Sequence, residues 1–400
     1  MEKQLEQFLQ RWEQAFNELQ TLSLYKNQVK TTQYSDGLRY NLKKFDGETF
    51  PSDGLMTKNK HDLDTNSLYE YGFNAEGLPC YVKYHHNYNH ATWEGFYNYC
   101  DDFVEYVEFY VHTGVPSSIV RIEFRDKRKI SLQNLVINGR GGSAASPQMS
   151  REEIISSIRN DESAFILTAT RYEYGLKDRI EKASNIHIIP GMGKFTSYDE
   201  YGYDQNETLD TIRRFFEQGH NQLIYCKLSE NMTSETLVES LSEALARSIA
   251  ETLTRQVKEL PVALLELSYH YGDNYIPYLV CQSAQEVATK LANGNSVFIG
   301  DYQDALDLEI ESLEKLYAQL EQMMEDMGTG ELGRKMLIKA ARHLTRSKLF
   351  GKLQVTEDFA AYAIDWTIDG YGDGEFEKIL LECGVEPTII KLWKHTGMLL

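Results

Sequence analysis

The sequence predicts an α+β protein: an N-terminal helix and an antiparallel β-meander domain, then an α+β domain with paired strands and several helices. Three observations carry this expectation. Hydrophobic spacing is helical over the first two dozen residues and switches to a period of two from Leu38 to Asn138. Tyrosine is abundant, at 26 of 400 residues, and suits half-wet sheet faces, where the ring packs and the hydroxyl stays solvated. Beyond residue 150, long stripes of helical period alternate with short β-rich runs grouped in pairs.

The elements follow in order. Leu5, Phe8, Leu9, Trp12, Phe16 and Leu19 recur at three- and four-residue steps, which predicts an amphipathic helix over Glu2 to Leu22. The stretch from Ser67 to Tyr84 reads as two alternating runs about Asn74-Ala-Glu-Gly77, a hairpin signal. It resembles one unit of the Tyr-Asp repeats of bacterial wall and toxin shells. Strands are expected at Trp93 to Tyr97, Phe103 to His112, Ser118 to Arg125 and Ile130 to Ile137, the last two joined by a turn over Asp126 to Lys129. The small, polar run Asn138 to Pro147 reads as a linker. The expected domains are therefore 1–138 and 150–400, joined by 139–149.

Ser150 and Glu153 form a capping box that opens a helix. Phe165 to Tyr172 and Gln222 to Lys227 read as strands. A long helix from Ser234 to Lys258 repeats Leu237, Leu241, Leu245, Ile249 and Leu253 every four residues. A strand pair is expected at Val262 to Tyr269 and Tyr275 to Gln282, followed by a helix over Ala284 to Ala292. A short strand over Val297 to Ile299 and helices over Leu306 to Met327 and Glu331 to Ser347 come next. A strand over Phe359 to Ile364 and two short helices close the chain.

Composition excludes several functional classes. Sixty acidic against 41 basic residues leave a formal charge of −19, spread along the chain rather than held in a tail. That field repels nucleic acid and anionic membrane and attracts basic partners. No apolar run approaches the roughly 20 residues of a membrane helix, and Met1 to Gln7 has no signal-peptide pattern. The five cysteines are scattered without a C-x-x-C pair, which predicts free thiols in a reducing cytoplasm.

Motifs for chemistry are sparse. Pro190-Gly-Met-Gly-Lys-Phe-Thr196 follows an apolar run and partly matches a phosphate-binding loop. It lacks the first glycine, and Phe195 separates Lys194 from Thr196, so a glycine turn is the simpler reading. His85, His86 and His90 cluster without a fourth ligand at metal spacing. Asp365, Asp369, Asp373 and Glu375 sit among glycines but four apart, against the alternation of an EF-hand. No metal and no cofactor is expected.

Three stretches resemble an uncharacterised bacterial family, domain of unknown function 4303. They are Leu260 to Tyr269 with Tyr275 to Leu279, Asp358-Phe-Ala-Ala-Tyr-Ala-Ile-Asp365, and Val385 to Gly397. The resemblance covers the last third of the chain. It implies a bacterial protein of the kind encoded near polymorphic toxins, immunity proteins among them, and supplies no catalytic residue.

Two functions follow. The first is protein binding, with a basic protein such as a toxin as partner. Asp102, Tyr106, Glu108 and Tyr110 are the binding residues, on the open face of the strand over 103–112. Phe103, Val107 and Phe109 then face the core, and Glu105 falls among them, placed at the sheet rim or turned outward by a bulge. Reversing Asp102 and Glu108 to lysine is expected to cost no more than about 0.5 kcal/mol. The second is a hydrolase or transferase using His85, His90, Asp365 and Lys194 in a pocket between the domains.

Overall fold

The computed structural model describes residues 2–35, 40, 42, 57, 67–86, 92–137, 149–229, 231–257, 261–270, 274–298, 305–327, 330–346, 350, 353–366 and 374–399. The expected class holds: a helix precedes an antiparallel sheet, and a helix-rich region with a small sheet follows. The chain divides into two compact units. One comprises Met1–Tyr225 with Asp326–Gly328, the other Cys226–Glu325 with Thr329–Leu400.

In the first unit, helix α1 (Glu2–Ala15) and the short α2 (Leu19–Leu22) replace the single helix expected to Leu22. Twelve strands then form one sheet in sequence order. They are β1 (Thr31–Ser35), β2 (Ser67–Phe73), β3 (Pro79–His86), β4 (Thr92–Tyr99), β5 (Phe103–Tyr110), β6 (Pro116–Arg125) and β7 (Arg128–Ile137). The sheet continues with β8 (Phe165–Tyr174), β9 (Ile180–Ile189), β10 (Gly193–Tyr203), β11 (Leu209–Phe216) and β12 (Asn221–Cys226). Helix α3 (Arg151–Arg159) lies between β7 and β8 in sequence, and both halves of its Ser150–Glu153 capping box form.

The domain boundary is thus corrected. The expected break at 139–149 falls between β7 and β8, which pair in register from Ser131↔Arg171 to Ile137↔Phe165. Residues 138–148 lie outside the described residues, but the strands on either side are neighbours in one sheet. Strands β9, β10 and β11 escaped the sequence reading. The turns before β9 and before β11 place Asp178 and Glu207 at positive φ, where glycine is the usual signal. The Gly191–Gly193 stretch is the turn of the β9–β10 hairpin, the simpler of its two readings.

The two faces of the sheet are both furnished. On one, Phe8, Leu9 and Trp12 of α1 and Ile154 and Ile158 of α3 pack on Phe96, Val107, Phe109, Ile119 and Leu135. Each fully buried side chain of this size stabilises by about 1.5–3 kcal/mol. Trp12 keeps its indole N–H satisfied by donating to the Pro116 carbonyl at 2.9 Å. The other face gathers Tyr71, Val82, Tyr97, Val104, Tyr106, Val120, Ile122 and Leu132.

The second unit opens with α4 (Ser234–Gln256), capped by Thr233, with all five residues of its leucine/isoleucine stripe buried. Its sheet has the order β14 (Tyr278–Ser283), β13 (Val262–Tyr269), β15 (Val355–Asp365). The β13–β14 pair is antiparallel as expected, and β15 adds in parallel. Every residue of β13 is buried, which explains its largely apolar sequence, and the two polar residues within it, Glu266 and Ser268, are buried too. Helices α5 (Ala284–Ala292), α6 (Glu314–Met327), α7 (Glu331–Arg346), α8 (Glu375–Glu382) and α9 (Pro387–His395) complete it.

Two local expectations fail here. Val297 and Phe298 form a bend rather than a strand, and the Val297 carbonyl accepts from Gln282 Nε2 at 2.8 Å. The helix expected from Leu306 begins at Glu314 after a 3₁₀ turn. Residues 306 and 307 are held elsewhere: Leu306 N–H donates to the Leu279 carbonyl at 2.8 Å. Gln256 bonds both the N–H and the carbonyl of Asp307, at 3.1 and 2.8 Å.

Candidate functional site

Strand β5 carries the residues singled out from sequence, and the structure separates them. Asp102 is exposed in the turn before the strand. Tyr106 is on the side opposite Phe109, as expected, but is buried at 9% exposure rather than open. The reason is Gly95, directly across from Glu108 on β4. A Cβ at Gly95 would meet the Tyr106 ring and hydroxyl at 2.3–2.6 Å, so the missing side chain gives the ring its place. Tyr106 then donates its hydroxyl to Glu108 Oε2 at 2.8 Å, and Ser117 donates to Glu108 Oε1 at 2.7 Å. Glu108 is therefore a half-buried, bonded carboxylate, and lysine there is not the neutral exchange expected from sequence.

Glu105 is neither at the rim nor bulged outward. It is buried at 2% exposure beneath α1. Arg11 grips it with two bonds, Nε to Oε1 at 2.9 Å and Nη2 to Oε2 at 2.5 Å. Arg121 lies 3.6 Å away on β6, and the strand's irregularity falls at Glu108/Phe109 instead. Burial works against the Arg11 charge, but bonding to Glu105 and Glu18 outweighs it and raises its pKa. A partner 94 positions upstream gives no local signal in the sequence.

Tyr110 joins a feature that was not foreseen. Tyr69, Tyr84, Trp93 and Tyr110 are direct cross-strand neighbours on β2, β3, β4 and β5. Their rings form a ladder with centroid spacings of 4.2, 5.0 and 5.6 Å, the first two stacked and the last tilted. All four are partly exposed. Alternating aromatics on adjacent strands were the available signal, but only the register aligns them. Glu108 sits in the next row. Burial chiefly, and the Glu108 charge in addition, raise the phenol pKa values of Tyr69, Tyr97, Tyr106 and Tyr110. The carboxylate is thus electrically central to this tyrosine-rich face.

The same sheet turns polar from β7 onward. Asn134, Thr168 and His187 lie opposite one another in one row, and Thr170, Asn185 and Ser197 in the next. His187 is 5% exposed, with Nε2 3.0 Å from Ser197 Oγ and its ring stacked on Phe195. Burial and the Arg214 charge push its pKa down to about 4, against a smaller upward pull from Asp199.

The residues of the enzymatic reading are scattered. His85 on β3 bonds Thr92 at 3.0 Å, and Lys194 is exposed on β10, with six strands between them in the sheet order. His90 lies outside the described residues. Asp365 ends β15 in the other unit and is buried. Among the described residues no group of His, Cys, Asp or Glu is arranged to hold a metal ion. No described helix is long and apolar enough to cross a membrane. The second unit has its own cleft of about 280 Å³ at the carboxyl end of β13.

No family model matches the chain, and no curated protein matches it. A porin-like protein of Bacteroides vulgatus shows a structural likeness at 10% identity over 40% of this chain and 80% of that one. Its TM-score of 0.23 is too low to bear on fold or function.

Proposed function

We propose that the chain is a protein-binding component whose sheet engages a basic protein, with Glu108 and the ladder Tyr69–Tyr84–Trp93–Tyr110 as the contact. One observation carries this reading: a carboxylate held at 2.7 and 2.8 Å by Ser117 and Tyr106 beside a ladder of four partly exposed rings, three of them stacked. Tyr and Trp supply large contact area at little conformational cost, and such rings dominate binding hot spots. Their stacked faces are already used by each other, so an incoming chain meets ring edges and hydroxyls. Glu108, the described anion beside them, then favours an arginine or lysine. The net charge of −19 adds long-range attraction for a basic partner. A toxin inhibited by an immunity-like protein is one such pair, as the resemblance of residues 260–400 implies. Free thiols at all five cysteines accord with cytoplasmic work.

The test is affinity capture from the native cell, followed by hydrogen-exchange footprinting with the purified partner. Protection is expected in β2 to β5, and Trp93→Ala should lower affinity at least tenfold, as at a hot spot. Protection confined to other strands would remove this surface from the binding role.

A further inference from the structure

We infer that the cleft at the carboxyl end of β13 is a binding site for a guanidinium group. Its lining includes Tyr269, His270, Tyr275, Tyr278, Leu306 and Asp307. At about 280 Å³ it falls just below the roughly 300–1,000 Å³ of pockets for drug-sized ligands. A nucleotide is too large for it, and one long side chain or a small molecule fits.

The chemistry of the lining selects the occupant. The Asp307 side chain has no hydrogen-bond or ion-pair partner among the described residues, because Gln256 bonds only its backbone. Those two bonds, with Leu306 tied to Leu279, fix the Asp307 backbone beside the cleft, and the residue is exposed there. A held backbone lowers the ordering cost of a charged anchor. Among the described residues no lysine or arginine lines the cleft, and Asp307 supplies its one carboxylate. Three tyrosines complete the wall. Tyr269 and Tyr275 lie 5.7 Å apart and are buried, whereas Tyr278 is 55% exposed at the mouth. A planar guanidinium stacks on aromatic faces and pairs with a carboxylate in the same pose, which a compact ammonium does less well.

The backbone shows that this wall is built at a cost. Tyr275 has φ +57°, a conformation that bulky residues rarely adopt. Its ring is seated against Gly333 of α7, where a Cβ would come within 2.3 Å of it. Strain of this kind persists where the surroundings over-determine it, and it clusters at binding sites. The cleft lies between the carboxyl end of β13 and the start of β14, its antiparallel neighbour.

Titration of the full chain with Nα-acetyl-arginine-methylamide, followed by calorimetry, tests the assignment. The citrulline analogue, neutral but nearly isosteric, is the control. The arginine compound should bind and the citrulline compound should bind at least tenfold more weakly. Asp307→Asn should remove about tenfold or more of the arginine affinity, the usual loss for a charge-assisted bond. Tyr278→Ala should weaken it several-fold. Glu152→Gln, at an exposed position of α3, should leave it unchanged. A short arginine peptide binding more tightly than free arginine makes the natural ligand a partner's side chain. The reverse order makes it a small molecule. Equal binding of arginine and citrulline compounds, no binding of either at millimolar concentration, or an Asp307→Asn protein with wild-type affinity would each overturn the inference.

Discussion

Glu105→Ala should destabilise the first unit far more than loss of any exposed carboxylate. Its partner Arg11 keeps 17% of its side-chain surface exposed and retains Glu18 at 2.7 Å. Breaking a buried pair costs about 3–5 kcal/mol because the survivor is left charged and poorly solvated. The remaining bond to Glu18 sets the expectation at the lower end, about 3 kcal/mol. With an m-value of roughly 3 kcal/mol/M, the urea midpoint of this unit falls by about 1 M. The contrast with the surface has the opposite sign. In a chain of net charge −19, removing an exposed carboxylate relieves repulsion and leaves stability unchanged or raised. Arg11→Met combined with Glu105→Leu should recover most of the loss, since an apolar pair of similar volume replaces a buried ion pair at little cost. A midpoint for Glu105→Ala within about 0.3 M of wild type would refute the buried pairing.

Three further outcomes follow from particular contacts. His187 has its folded pKa lowered from 6.5 to about 4. The unfolded chain therefore binds the extra proton first, and stability is lost as pH falls from about 6.5 to about 4, by about 3 kcal/mol in total. Urea midpoints at both ends of that window should differ less in His187→Gln than in wild type, and an equal loss would remove His187 as the cause. Gly333→Ala should destabilise by about 1–3 kcal/mol through overpacking on Tyr275 and weaken arginine binding, read by thermal melting and calorimetry. A specific protease site inserted within 139–147 and cut should leave two pieces that co-elute under native conditions, since β7 and β8 pair across it. Separation without denaturant would restore the domain boundary expected from the sequence.

Much of the fold is legible in the sequence because it is written locally. The capping box at Ser150, the leucine stripe of α4 and the Asn74–Gly77 turn each lie within a few neighbouring residues. The misreadings around strand β5 are non-local. Glu105 looked misplaced because Arg11 is remote, and Tyr106 looked exposed because Gly95 makes room for it across the ladder. Small polar residues at 139–147 resembled a linker, although the strands on either side share a sheet. For the candidate site, Glu108 and Tyr110 were legible from alternation. Tyr69, Tyr84 and Trp93 needed the register of three strand pairs. Asp307 was hidden inside an expected helix, and only its two bonds to Gln256 reveal why that helix starts late.

The binding role of the sheet is tested most directly by one substitution against a purified partner. Glu108→Gln keeps the shape while removing the charge: its amide oxygen accepts from one of the Tyr106 and Ser117 hydroxyls and its NH2 donates to the other. Affinity of the wild-type chain should fall as salt rises, because screening weakens the attraction between charges. Glu108→Gln should bind about tenfold more weakly at low salt, with a thermal midpoint near wild type, and the difference should shrink at high salt. Equal affinity of the two proteins at low salt would contradict the assignment of this carboxylate and its aromatic ladder to partner binding.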